Sequence, residues 1–391
     1  MPYLRAILLR ERIEILHAHA SLSSMAHEGI FHSWHLGIRT VFTDHSLFAL
    51  DDAVGILTNK LLEAALRNVD ATICVSYTGR ENTVLRASLV PSSVYVIPNA
   101  LIPEQFKPAE KPVPTKPLNI VVVSRLAYRK GVDLLVATAP RICERFPDVH
   151  FIIGGDGPKL GELLQMREKF MLQDRMTLLG AVRHEDVRDV LVQGSIFLNT
   201  SLTEAFGVAI LEAACAGLYV VCTRVGGVPE VLLPDLISFA EPDEDGAYTP
   251  SPLMRLTPTA RVLLLTRYFV QPASKDVFQA LSEAINFVQG GNHDPHAAHA
   301  RVKGMYAWNR VAARTEKVYE TIVTMPEWSL WERIQRFYSL GTFAGPIFVI
   351  ILVVQCYFWW FIEWLVPLED IDYVEDDWDI ARFSQAVSDT S

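Results

Sequence analysis

Nine short apolar, β-branched runs punctuate the chain and constrain its fold more than any other feature. Four lie in the first hundred residues, "IEILHAHA", "RTVFTDHS", "ATICVS" and "SVYVIPNA", separated by helix-length segments such as "LTNKLLEAALRN". A linker rich in Pro and Lys, "FKPAEKPVPTKP", precedes five more: "NIVVVS", "HFIIGGDG", "MTLLGAV", "IFLNTS" and "YVVCTRVGG". The runs are nearly continuous in apolar residues rather than alternating, which implies parallel strands covered on both faces. That rhythm, repeated twice, predicts an α/β chain of two doubly wound domains that bind ligands at the carboxyl ends of their strands.

The expected division is 1–105 for the first domain, 106–118 for the linker and 119–300 for the second domain, then 301–339 for C-terminal helices. Two places break the rhythm. Residues 246–274 hold four prolines and no clear period, and read equally as an inserted surface loop or a translated intron. The sequence opens on a helix leading into "IEILHAHA", so the first domain is expected to lack a strand and glycine loop, leaving a neighbouring strand as an edge.

Leu340 to Ile362, "LGTFAGPIFVIILVVQCYFWWFI", carries no Asp, Glu, Lys, Arg or His. As a helix it would span about 34 Å, enough for a bilayer core. A buried core helix is the competing reading, but Tyr357, Phe358, Trp359 and Trp360 suit an interfacial belt. Beyond Ile362 nine acids face Arg382, so residues 363–391 carry −8 of the net −10, and the body is almost neutral. Arg333 and Arg336 before the span and acids after it place residues 1 to 335 in the cytosol and the acidic tail across the membrane. The opening "MPYLRAILLRERIEIL" interrupts its apolar residues with charge and is not expected to be a secretory signal. Nothing in the charge balance suggests nucleic acid, which wants a basic stripe or patch, and no nucleic-acid partner is expected. Cys74, Cys143, Cys215, Cys222 and Cys356 follow no paired spacing and read as reduced, buried thiols.

The turns after the strands hold the chemistry. "NIVVVSRLAYRKG" runs from a strand into Arg125, Arg129 and Lys130, cations placed to hold phosphates, although loop cations are more often merely solvated. "HFIIGGDGPKL" brings Gly154, Gly155, Asp156 and Gly157 to the end of a strand without forming GxGxxG, which weakens a dinucleotide reading. "RVGGVPEV" from Arg224 is a further glycine turn. In "SLTEAFGVAILEA", Glu204 and Glu212 stand eight positions apart, roughly 12 Å along one continuous helix. A pair working on one glycosidic bond sits about 5 to 9.5 Å apart, so two ends of one extended ligand fit better. "TDHSLF" puts His45 after a strand, where a histidine is more often structural than functional. His17 and His19 lack further convergent ligands for a metal, and the D-x-D pairs at 243/245, 370/372 and 377/379 read as solvated charge.

Together, Arg125 and Lys130, the Gly154–Pro158 turn and the Glu204–Glu212 segment resemble the donor half of the retaining GT-B glycosyltransferases with an E-x7-E signature, two Rossmann-like domains facing a cleft. "LTNKLL", "ICVSYTGRENTVLRA", "VIPNA", "VVVSRLAYRKG", "FIIGGDGPK" and "LVQGSIFLNTSLTEAFGVAILEA" most resemble the phosphatidylinositol N-acetylglucosaminyltransferase catalytic-subunit family. The resemblance implies transfer of N-acetylglucosamine from UDP-GlcNAc to phosphatidylinositol with retention, the first step of glycosylphosphatidylinositol (GPI) anchor synthesis. By the same resemblance, Arg125 and Lys130 neutralise the diphosphate without a metal or other cofactor, and Gly155, Asp156 and Gly157 line the donor site. Glu212 takes the ribose hydroxyls, Glu204 lies near the sugar, and backbone groups of Phe206, Gly207 and Val208 cradle sugar and phosphates. His45 touches the sugar from the other domain. The implied setting is the endoplasmic reticulum membrane, single-pass, among other subunits of a transferase complex. Two alternatives stand beside it: an inactive membrane-anchored scaffold, and another phosphatidylinositol glycosyltransferase using a mannosyl donor.

Overall fold

The first four apolar runs are strands in a computed structural model, which describes residues 2–47, 53–110, 116–242, 276–371 and 373–374. After helix α1 (Pro2–Arg10), β1 (Ile15–His19), β2 (Arg39–Asp44), β3 (Ala71–Cys74) and β4 (Val94–Val96) pair in parallel and in sequence order. Helices α2 (Ser24–Ser33), α3 (Ala53–Leu66) and α4 (Tyr77–Ala87) make the crossovers. Beyond Arg39, β2 is buried at every residue, as is β3, because helices cover both faces. Ile30, Phe42, Leu62 and Leu66 centre the core. The sheet belongs to one compact unit, Met1–Cys74 with Arg80–Val96 and Thr315–Ser391; Val75–Gly79 and Ile97–Arg314 form the second.

The second unit holds six parallel strands, β5 (Leu118–Val123), β6 (Val149–Gly154), β7 (Met176–Gly180), β8 (Ile196–Asn199), β9 (Tyr219–Thr223) and β10 (Ile237–Ala240), ordered β10-β9-β8-β5-β6-β7. Helices α5 (Val132–Arg145), α6 (Leu160–Lys169), α7 (Val187–Leu191), α8 (Val208–Cys215), α9 (Val277–Gln289) and α10 (Pro295–Lys303) complete it. α5 buries Val132, Leu135, Ala139 and Ile142, the three- and four-residue spacing of one helix face. Those residues join β5, β6, β8, β9 and α9 in a single core. The edge strand β7 alternates buried with more open positions, since one face is less covered. From β7 the chain returns to the other side of β5 to start β8, so the order reverses between these neighbours, the position where doubly wound sheets bind ligands.

α11 (Trp308–Val323), α12 (Leu330–Tyr338) and α13 (Ala344–Leu365) follow. α13 is long and apolar enough to cross a membrane. It starts four residues later than the expected 340, after a turn at Gly341, and runs to Leu365 before Pro367 stops it. Buried Arg5 of α1 donates to the Val366 carbonyl at 2.9 Å and pairs with Glu363. The 246–274 segment, the D-x-D pairs at 243/245 and 377/379, and all but the first residues of the acidic tail lie outside the described residues.

Candidate active site

Three loops at the carboxyl ends of adjacent strands build the site, and the strand order decides which ones. Arg125, Arg129 and Lys130 follow β5, Gly155 to Gly157 follow β6, and Glu204 follows β8. Lys130 Nζ lies 2.6 Å from Glu204 Oε2, with both side chains partly exposed. The two loops are also joined by backbone: Leu202 N–H donates to the Arg129 carbonyl at 2.9 Å, and Thr200 Oγ1 donates to the Lys130 carbonyl at 3.0 Å. Gly131 makes this approach possible. Its φ is +62°, and a Cβ there would overlap the carbonyl oxygen of Thr200.

The turn after β6 clasps the loop after β5. Leu126 N–H donates to the Asp156 carbonyl and Lys159 N–H to the Leu126 carbonyl, both at 2.9 Å. Asp156 Oδ1 accepts from Gly157 N–H at 2.7 Å, which fixes the turn. Between these loops Arg125 is exposed and makes no ion pair among the described residues. It is a cation available to an anionic ligand.

The two signature glutamates do not share a helix, which corrects the 12 Å expectation. Gly207, at φ +92°, starts α8, so Glu204 stays in the loop and only Glu212 is helical. The apolar run Ala205–Ala213 hides that break. Glu212 is half-buried, and burial holds its carboxyl above the ordinary range, with His184 partly opposing. Phe206 is buried edge-on against Tyr306, whose hydroxyl donates to the Val231 carbonyl at 2.8 Å. No N–H of Phe206, Gly207 or Val208 donates to a backbone carbonyl among the described residues, as expected at a helix start. Such N–H groups suit an anion or sugar oxygen. The "RVGGVPEV" turn supports this loop through Gly227 N–H, which donates to the Glu204 carbonyl at 3.0 Å.

His45 lies in the first unit, and there it belongs to a ladder that the sequence did not reveal. His19 Nδ1 and His45 Nε2 share a hydrogen bond at 3.1 Å. The His17 ring stacks on His19 at 4.4 Å between centroids and shares hydrogen bonds with Tyr319 at 2.6 Å and Thr43 at 2.7 Å. Tyr319 is 302 positions away from His17, so no local pattern could have shown the partnership. Asp44, next to His45, is buried and accepts from Ser21 Oγ at 2.7 Å, Ser46 N–H and Thr83 Oγ1 at 2.9 Å, and Arg86 at 3.4 Å. That network fixes the turn that carries the histidine. Among the described residues, no group of three or more His, Cys, Asp or Glu could hold a metal.

Comparison with known proteins decides the family. The family "Glycosyl transferases group 1" matches residues 103–245, and "PIGA (GPI anchor biosynthesis)" matches residues 1–52. The phosphatidylinositol N-acetylglucosaminyltransferase gpi3 subunit of Schizosaccharomyces pombe is 46% identical over 96% of this chain and 76% of its own. The chain belongs to that family. The corresponding GPI3 subunit of Saccharomyces cerevisiae is 40% identical over 95% of this chain and 78% of its own. In fold, the chain resembles HepE of Anabaena, solved in complex with UDP and glucose, with a TM-score of 0.62 at 15% identity over 83% of this chain and 81% of that one. GT-B architecture, expected from the repeated strand rhythm and the E-x7-E segment, is therefore the architecture of this family member.

Proposed function

We propose that the chain transfers N-acetylglucosamine from UDP-GlcNAc to phosphatidylinositol, with retention, as the first step of GPI anchor synthesis. End-to-end similarity to relatives named for this transferase supports the choice of donor and acceptor. The observation that carries the chemistry is the Lys130–Glu204 pair beside the exposed Arg125 where the strand order reverses. In the proposed mechanism Arg125 and Lys130 stabilise the negative charge that grows on the departing diphosphate, without a divalent metal. Glu212 accepts hydrogen bonds from the ribose, and Glu204 stands by the sugar. The Gly155–Asp156–Gly157 turn and the backbone of Phe206, Gly207 and Val208 hold the donor. The inositol oxygen attacks the sugar anomeric carbon on the face the diphosphate leaves. The bond to the phosphate oxygen breaks, and that oxygen takes the hydroxyl proton. His45 is assigned a role beside the sugar by the family resemblance.

α13 is proposed to anchor the chain once in the endoplasmic reticulum membrane, with the catalytic units cytosolic and the acidic tail luminal. The word "subunit" in the relatives' names supports membership of a larger assembly. The test is expression in microsomes lacking the endogenous subunit, following label from UDP-GlcNAc into phosphatidylinositol. Lys130→Ala and Glu212→Ala should each lower turnover by about 100-fold or more. Wild-type activity that survives both variants, or label accepted equally from a GDP-mannose donor, overturns the assignment.

A further inference from the structure

The first unit holds a cationic cluster that the transfer chemistry does not use. α12 buries Arg333 and Phe337 and leaves Leu330, Trp331 and Tyr338 exposed. Arg333 is only 6% exposed and lies 4.6 Å over the Trp34 ring, yet its Nε and Nη1 have no hydrogen-bond partner. A buried guanidinium ordinarily faces a carboxylate. Here Asp70 is already engaged, by Thr40 N–H at 2.8 Å, Thr40 Oγ1 at 3.2 Å and Arg39 at 3.3 Å. One turn further on, Arg336 lies 4.0 Å over Trp328 and donates Nε to the Arg67 carbonyl at 2.7 Å. Arg67 Nε and both amide atoms of Asn68 are likewise buried without partners. Burial lowers the Arg333 pKa to about 10, aided by Arg336 and Arg39 and opposed by Asp70 and Glu327. The group remains charged at neutral pH, and although Asp70 and Glu327 lie near enough to act on it, no acceptor meets its Nε or Nη1.

Arg67 Nη2 already pairs with Glu63 at 2.6 Å, so what remains open are Nε and Nη1 of Arg333, Arg67 Nε and the Asn68 amide N–H groups. An anion with several oxygens, phosphate above all, matches such planar donors best. α12 ends only a short turn before α13, and its exposed Trp331 and Tyr338 are residue types that settle at the membrane interface. Cationic clusters at that depth meet phospholipid headgroups. We propose that Arg333, Arg336 and the Arg67–Asn68 corner form a site for the phosphate of an anionic phospholipid headgroup, seating the first unit on the bilayer beside α13. The inference rests on α13 being the membrane anchor and is independent of the transfer reaction.

The experiment uses the full chain purified in detergent, with melting temperature read on adding phosphatidylserine, phosphatidylcholine or inorganic phosphate, and bound lipid counted by native mass spectrometry. Phosphatidylserine is chosen because it is not the proposed acceptor. It should stabilise the native chain more than the other two additives. Arg333→Met and Arg336→Gln should weaken its binding by about tenfold or more while the melting shift produced by UDP stays unchanged. Equal effects of phosphatidylserine and phosphatidylcholine, an equal effect of inorganic phosphate, or an undiminished lipid response in the variants overturns the proposal. If Arg333→Met does not fold, Arg336→Gln decides alone. Loss of the UDP response in the native chain alongside a retained lipid response would count against the transferase reading only.

Discussion

His17 shows how one side chain can carry a pH dependence. Burial, with smaller contributions from the neighbouring His19 and His45, lowers its pKa from 6.5 to about 4. In the unfolded chain it would titrate near 6.5, so between those two values the unfolded state binds more protons. The stability gained from a neutral His17 is complete above pH 6.5 and is lost as pH falls towards 4. Melting temperatures measured across that window should fall with acid, and His17→Asn should flatten part of the slope. An unchanged slope would show that the ladder is open to water. The sequence placed His45 after a strand and noted His17 and His19, but Tyr319 and the stacking depend on the tertiary fold. The placing of Lys130, Arg125 and Glu204 on loops at the carboxyl ends of strands was legible, because the apolar runs before them mark the strands. The direct Lys130–Glu204 pairing was not, since the two are separated by 74 positions.

At the scale of elements, two glycines that look alike in sequence should respond oppositely to alanine. Gly131 has φ +62° and no room for a Cβ beside Thr200, so Gly131→Ala should cost about 2 kcal/mol or more. Gly161 lies within α6 with open space around it, so Gly161→Ala should be stabilising by about 0.5 to 1 kcal/mol. Denaturant melts of both variants check the pair, and UDP binding should weaken only in Gly131→Ala. Strands were legible where apolar and β-branched residues clustered between helix-length segments. β10, "ISFA" with its two central residues only half-buried, was too mixed to register. The start of α8 was missed although Gly207 marked it, because the apolar residues on either side of the glycine read as one helix.

For the whole molecule, the charge asymmetry on the two sides of α13 is the basis of the proposed orientation. Protease added to sealed microsomes should digest both units and spare an epitope placed in residues 363–391. Digestion of that epitope in intact vesicles would reverse the proposed topology. The apolar run marked a helix long and apolar enough to cross a membrane, but not what it packs against. Leu340, just before α13, and Leu352, in its middle, join Ala64 and Phe337 in one buried cluster, flanked by Phe31 and Trp34. Contacts between residues nearly three hundred positions apart leave no trace in local periodicity.

That cluster also fixes an order of events during synthesis. The second unit lies almost wholly between Ile97 and Arg314, whereas the first needs residues on both sides of it. A ribosome adding roughly 5 to 20 residues per second needs on the order of ten seconds or more to travel from β4 to α12. For that interval Ala64, Phe31 and Trp34 wait without the side chains that later cover them, a surface that chaperones can hold. The first unit therefore closes only after the residues from Thr315 onward have been made, and a chain that stops short of them keeps that surface open to degradation.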